Sequence, residues 1–266
     1  MDNQARLSIS QKLKPWGRDL RENGGEPLPK RFRHSAIQLL AALGVLVLSA
    51  PFVEDLPAGD LIEALLITTV MVCSVAVVGG GRGMVVIALV LLFPALVGKW
   101  VNHFSRGPVS SCIYLIGGTV FFLFVVTHLI RFILRARTVD ANVLCAGLSG
   151  YLLLGLLWVP AYVLAGRLDP GAFNMSAAGG APQTMDGFNA FYFSFITLST
   201  VGYGDVIPLS KGARMLAVTE AVAGLFYIAV LISRLVAIYS SRQASPQATG
   251  ATAREERADE APMHKG

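Results

Sequence analysis

Charged residues are scarce in this sequence. Only 15% of its 266 residues are Asp, Glu, Lys or Arg, whereas 54% belong to the hydrophobic class. Soluble domains carry about 25% charged residues, so this composition excludes an ordinary water-soluble globular protein. It is typical of an integral membrane protein, whose helices need about 20 consecutive apolar residues to span a bilayer.

Cysteine and histidine are also few, and neither is spaced for chemistry. The three cysteines lie inside apolar runs without CxxC spacing, and the four histidines show no metal-ligand spacing. No Ser/His/Asp, paired-carboxylate or metal constellation is recognisable. These absences exclude a disulfide framework and a thiolate metal site, and they predict neither an enzyme nor a protein that needs a cofactor.

Six apolar runs are long enough to span a bilayer as helices. They cover residues 35–53, 61–78, 84–101, 109–130, 143–165 and 213–239. The pattern predicts an all-α membrane protein with six transmembrane helices. The polar residues 1–34 are predicted to form a cytoplasmic tail, and the polar residues 243–266 are predicted to be a disordered cytoplasmic tail.

The basic residues cluster on one side of the predicted membrane. With the N-terminus in the cytoplasm and the spans alternating, 17 of the 22 Lys and Arg residues lie on the cytoplasmic side. The positive-inside rule then places both termini in the cytoplasm. Since the net charge of +5 is explained by orientation, no nucleic-acid partner is expected. The compact, loop-poor layout suggests a multi-pass protein of a bacterial inner membrane.

The fourth apolar run has no arginine ladder. Its basic residues, Arg131 and Arg135, follow the run at its cytoplasmic end, where the positive-inside rule already explains them. A voltage sensor needs arginines spaced through that span. Residues 35–137 are therefore predicted to form a four-helix transmembrane domain that resembles a voltage-sensor module but lacks its charges.

One glycine-rich stretch, TLSTVGYGD at residues 197–205, interrupts the apolar pattern. The apolar segment 185–200 that leads into it is too short to cross a bilayer and return, which predicts a re-entrant loop entered from the outside. Irregular backbone at membrane depth is tolerated only where protein buries it or where it lines a water-filled cavity. Alternating left-handed residues aim successive carbonyl groups to one side, and glycine adopts that conformation without a steric penalty. This accounts for Gly202 and Gly204.

Residues 200–204, Thr-Val-Gly-Tyr-Gly, resemble the selectivity filter by which potassium channels are known. We call them the filter-like segment. The resemblance is to the pore domain of bacterial six-span K+ channels. It implies a pore domain over residues 138–242, and this domain would comprise an outer helix at 143–165, a pore helix at 186–199, the filter at 200–204 and an inner helix at 213–239.

The resemblance also implies roles for particular residues. The K+ ligands would be the backbone carbonyls of Thr200, Val201, Gly202 and Tyr203 together with the Thr200 hydroxyl, and Gly204 would complete the filter. Asp205 would lie at the outer mouth and attract cations.

Four further positions are implied to support or gate the filter. Tyr192 and Phe193 match pore-helix positions where relatives often carry paired tryptophans. Glu220, inside the last span, is predicted to form hydrogen bonds behind the filter, and a titrating role in gating is its alternative. Gly224 matches the inner-helix hinge of the family, and close helix packing is the alternative there.

The function that the resemblance implies is passive K+ conduction across the lipid bilayer. One filter segment supplies one wall of a pore, so a homotetramer is expected, with permeant K+ as its only bound ion. Two alternatives stay open: a poorly selective cation channel, and a silent membrane subunit that acts through partners. The sequence does not indicate the gating stimulus.

Overall fold

The computed structural model describes residues 30–53, 56–78, 82–104, 108–136, 141–175, 184–185 and 187–259. Within them, six helices are long and apolar enough to cross a membrane. They are α1 (Lys30–Val53), α2 (Gly59–Val78), α3 (Arg82–Phe104), α4 (Pro108–Arg135), α5 (Ala141–Leu168) and α7 (Lys211–Asp259). The predicted all-α membrane protein with six spans is confirmed.

A shorter apolar helix and one small strand pair complete the architecture. Helix α6 (Gly187–Leu198) lies between α5 and α7 in the chain. Strands β1 (Phe173–Asn174) and β2 (Ile207–Pro208) pair antiparallel, with Phe173 opposite Pro208 and Asn174 opposite Ile207. The sequence did not predict this pairing, because two-residue strands leave no periodic pattern.

The two predicted tails differ from the structure where it describes them. Helix α7 continues to Asp259, so the prediction of disorder is wrong for residues 243–259. Residues 251–259, ATAREERAD, are rich in Ala, Arg and Glu, which favour a helix that already has a nucleus in the preceding span. Of the predicted N-terminal tail, residues 30–34 belong to α1. Residues 1–29 and 260–266 lie outside the described residues.

Hydroxyl side chains within the spans bond to their own helix. The hydroxyl groups of Thr68, Ser74 and Thr119 donate to carbonyl oxygens four residues earlier, at 2.6, 2.7 and 2.8 Å respectively. In lipid these groups have no water to bond, so an internal partner removes the cost of burying them. The spans therefore tolerate their few polar residues.

An ion pair joins three helices of the four-helix domain. Lys99 Nζ of α3 lies 2.7 Å from Glu63 Oε1 of α2 and 5.1 Å from the ring centroid of Tyr114 in α4. Only 13% of the Lys99 side chain is exposed. The charge is thus held by a carboxylate and an aromatic face rather than by water.

Helix α5 is the central element of the fold. It is the most buried of the six spans, and it packs against α1, α4, α6 and α7. The chain passes from Arg135 at the end of α4 to Ala141 at the start of α5, so these helices are close antiparallel neighbours. Arg234 of α7 donates through Nη2 to the Ala136 carbonyl at 2.7 Å, which links α7 to the end of α4.

Helices α3 and α4 approach closely at Gly98, and this contact gives a test of the packing. A Cβ atom on Gly98 would lie 2.9 Å from the backbone nitrogen of Tyr114, whereas a Cβ on Gly118 of α4 would meet no atom within 4 Å. We expect Gly98→Ala to lower the stability by about 1–3 kcal/mol, because backbone must move.

The matched control is Gly118→Ala, which should be neutral or stabilising by up to about 1 kcal/mol because alanine is the better helix former. Thermal unfolding in detergent, followed by circular dichroism, measures both. Equal midpoints for the two variants would contradict the close approach of α3 and α4.

Candidate ion-conduction site

Helix α6 ends in a capping motif that turns the chain out of the helix. The Thr200 amide donates to the Thr197 carbonyl at 3.0 Å, and the Val201 amide donates to the Ile196 carbonyl at 2.9 Å. These are the two bonds of a Schellman motif, whose penultimate residue takes the left-handed conformation. Thr200 is that residue, with a φ of 59°.

Three alternating residues of the filter-like segment have left-handed backbone. The φ angles are 59° at Thr200, 51° at Gly202 and 80° at Gly204. The predicted conformation of the two glycines is confirmed. Thr200 was missed, because a β-branched residue is disfavoured there by about 1–2 kcal/mol and no sequence signal marks the exception.

The carbonyl groups of this segment have no hydrogen-bond partner in the part of the chain that the structure describes. Among the described residues, no donor bonds to the carbonyl oxygens of Thr200, Val201, Gly202 or Tyr203. Nor does that part of the chain hold three His, Cys, Asp or Glu side chains together as metal ligands. What the segment offers to an ion is peptide oxygen.

The side chains of the segment are also uncovered. Val201 is 51% exposed and Tyr203 is 73% exposed in the single chain. Both are large apolar or aromatic residues, and within one chain their surfaces are free to contact another molecule.

A hydrogen bond holds the residue that follows the segment. Tyr192 of α6 donates its hydroxyl to Asp205 Oδ2 at 2.6 Å, and the Val206 amide donates to Asp205 Oδ1 at 3.0 Å. The hydrogen bond to Asp205 raises the pKa of the Tyr192 phenol to about 12.

The strand pair fixes the chain after the segment. Beyond the β1–β2 pairing, the Leu209 amide donates to the Ala172 carbonyl at 2.7 Å. The chain between α5 and α6 is thereby bonded to the chain between the filter-like segment and α7. Both ends of the segment are thus held, one by the cap of α6 and the other by Tyr192 and the strands.

Phe193 packs inward rather than beside the filter-like segment. It is 4% exposed, and its ring centroid lies 4.9 Å from that of Tyr162 and 5.6 Å from that of Phe173. Tyr192 stacks on Phe188 at 6.2 Å. Within the described part of one chain, no ring contact joins Tyr203 to either residue, and their support of Tyr203 remains a prediction.

Glu220 is fully buried in a polar cluster between three helices. Its Oε1 atom lies 2.6 Å from Ser194 Oγ of α6, and its Oε2 atom accepts from the Tyr162 hydroxyl of α5. Ser194 Oγ also lies 2.8 Å from the Gly155 carbonyl of α5. Sequence reasoning named Glu220 but missed Tyr162 and Ser194, although a buried acid requires partners of this kind.

Gly224 is a contact between α7 and the end of α6. A Cβ atom there would lie 2.8 Å from both the carbonyl oxygen and Cδ1 of Leu198. Close packing therefore gives a structural reason for glycine at this position, and the helix continues through it without a break. The hinge role remains a prediction.

A family match covers the region of this site, and three curated relatives match part of the chain. Residues 146–241 match a family described as "Ion channel". The chain is 38% identical over 64 residues to the Voltage-gated potassium channel Kch of Escherichia coli (strain K12) and 35% identical over 89 residues to the Two pore potassium channel b of Oryza sativa subsp. japonica. The resemblance to a potassium-channel pore domain is confirmed for this part of the chain. Neither relative is named as an enzyme, in agreement with the prediction.

The similarity is confined to part of each chain. The match to the Escherichia coli protein covers 21% of this chain and 15% of the relative, and the match to the rice protein covers 33% and 24%. The Two-pore potassium channel 4 of Arabidopsis thaliana is 38% identical over 55 residues, which are 21% of this chain and 19% of that relative. No solved structure matches the chain.

The hydrogen bond between Tyr192 and Asp205 can be tested by its removal. We expect Tyr192→Phe to leave folding intact but to make K+ flux decay about tenfold faster or more, since a hydrogen bond to a charged group contributes about 1.5–3 kcal/mol. The measurement is the time course of K+ efflux from liposomes.

Tyr151→Phe is the control, because the Tyr151 hydroxyl approaches its acceptor, the Leu198 carbonyl, only to 3.4 Å. The K+ flux through the Tyr151→Phe variant should decay at the rate of the wild type. Identical time courses for both variants would remove the supporting role of Tyr192.

Proposed function

We propose that this protein is a potassium-selective channel that conducts K+ passively through a homotetrameric pore. The carbonyl oxygens of Thr200, Val201, Gly202 and Tyr203 replace the hydration shell of the ion, and Gly204 and Asp205 form the outer end of the filter. The permeant ion is K+, and the flux needs no cofactor. The relatives that the chain matches are named as potassium channels, which supports this assignment.

The observation that carries the proposal is the set of unpartnered carbonyls in alternating left-handed backbone. A peptide carbonyl without a partner away from water costs several kcal/mol. Four such groups in succession are favourable only if something bonds them. Dehydrated monovalent cations in single file on a central axis bond successive rings of these carbonyls, each ring supplied by several chains.

The surfaces that one chain leaves uncovered support the homotetramer. A single segment forms one wall, and the exposed Val201 and Tyr203 side chains pack against a neighbouring copy. Helix α7 adds an apolar surface to the same interface. Its large exposed residues include Met215, Val218, Val222, Leu225 and Phe226. Helix α6 ends at Leu198 beside the segment, and four helix C-termini, each with about half a negative charge, attract a cation.

The proposal includes the way in which the chain enters the membrane. Helix α6 and the filter-like segment form a re-entrant loop from the outer side, between α5 and α7. Both termini are cytoplasmic, in a bacterial inner membrane, with most Lys and Arg residues on that side. The domain limits predicted from the sequence, 35–137 for the four-helix domain and 138–242 for the pore domain, are part of this proposal.

Reversal potentials of the purified protein in liposomes test the function. A K+ gradient should set the potential, and replacement of K+ by Na+ should shift it. A reversal potential that does not change when Na+ replaces K+ would identify a poorly selective cation channel. Block by barium is a second measurement that separates a K+-selective channel from a poorly selective one. No flux from the protein alone would identify a silent subunit.

Gly202→Ala tests the carbonyl ring itself. A methyl group opposes the φ of 51° at this residue by about 1 kcal/mol or more, so we expect the discrimination between K+ and Na+ to be lost. The control is Gly212→Ala, at a helical glycine with no atom within 4 Å of an added Cβ, which should keep it. Normal selectivity of Gly202→Ala would contradict the account at that residue.

A further inference from the structure

The polar cluster around Glu220 contains more hydrogen bonds than its hydroxyl groups can supply. Three contacts exist: the Tyr162 hydroxyl with Glu220 Oε2, Glu220 Oε1 with Ser194 Oγ, and Ser194 Oγ with the Gly155 carbonyl oxygen. The two contacts of Ser194 Oγ, at 2.8 and 2.6 Å, are both short enough to be two-centre hydrogen bonds, and each such bond needs a proton of its own. Tyr162 and Ser194 carry one each, so two protons are available from the hydroxyl groups.

The direction of each bond decides where the third proton must be. The Gly155 carbonyl can only accept, so the Ser194 proton points to it. Ser194 Oγ is then an acceptor toward Glu220, and the donor in that contact is the carboxyl group. An ionised carboxylate would take the Ser194 proton instead and leave the Gly155 contact without one.

The surroundings of Glu220 agree with a neutral group. The residue is 0% exposed, and an unpaired charge at such a site is strongly disfavoured. Among the described residues, no Lys, Arg or His side chain pairs with it. The titratable groups that face it are the phenols of Tyr162 and Tyr151, both from α5, while α6 contributes Ser194.

We infer that Glu220 is a neutral carboxylic acid that acts as a hydrogen-bond donor and fixes α6 against α5 and α7. The chain of bonds runs from Tyr162 to Glu220, from Glu220 to Ser194, and from Ser194 to the Gly155 carbonyl. Ser194 lies one turn before Leu198, where α6 ends, and Leu198 itself packs on Gly224, one turn after Glu220. Glu220 is thereby a positioning residue for the end of α6.

The role in positioning rests on the proposed function, whereas the protonation state does not. Infrared difference spectroscopy between the wild type and Glu220→Gln tests the protonation state directly. We expect a carbonyl stretching band of a protonated carboxyl group that the variant lacks. Absence of that band from the wild type at neutral pH would overturn the inference, whatever the protein conducts.

Rescue by the amide tests the donor role. Glutamine can donate from its amide nitrogen to Ser194 and accept from Tyr162 with its oxygen, as a neutral acid does. We expect Glu220→Gln to keep the thermal stability and K+ flux of the wild type. Glu220→Leu leaves Ser194 and Tyr162 without a partner and should lose about tenfold in flux or unfold at lower temperature.

Equal damage in the Gln and Leu variants would overturn the inference, because an ionised carboxylate accepts two bonds and an amide group cannot replace it. The infrared band and the K+ flux must both be measured. A wild type without ion flux but with the infrared band would refute the channel proposal and leave the neutral acid in place.

Discussion

A peptide carbonyl that leaves a helix within a membrane must find another partner, and this constraint determines the arrangement around the filter-like segment. Helix α6 ends in a Schellman motif, and the next four carbonyls have no donor among the described residues. In lipid that arrangement is unfavourable. It becomes favourable only if copies of the segment bury one another and share a cation, as we propose.

The rest of the fold holds this strained segment in one place. Upstream, α6 is fixed by Ser194, Glu220 and the contact of Leu198 with Gly224. Downstream, Tyr192 bonds Asp205, and the β1–β2 pair ties the following chain to the loop after α5. Thr200 keeps its left-handed backbone conformation because the contacts before and after the segment fix the position of the chain at both ends. The four-helix domain packs on α5 and leaves the segment uncovered for a neighbouring chain.

Composition and motif predicted the six spans, the short apolar helix and the conformation of Gly202 and Gly204, since span length and glycine freedom are local properties of sequence. The conformation of Thr200, the partners of Glu220 and the packing at Gly224 depend on which helices meet, and no local pattern encodes that. The continuation of α7 to Asp259 was missed because polar composition was taken as disorder despite good helix formers.

The most direct measurement is the structure of the protein reconstituted in K+ by electron cryomicroscopy. The account predicts a fourfold axis lined by the filter-like segments of four copies, with ion density between rings of carbonyl oxygens from residues 200–203. Carbonyl groups turned away from a shared axis, or an assembly without fourfold symmetry, would contradict it.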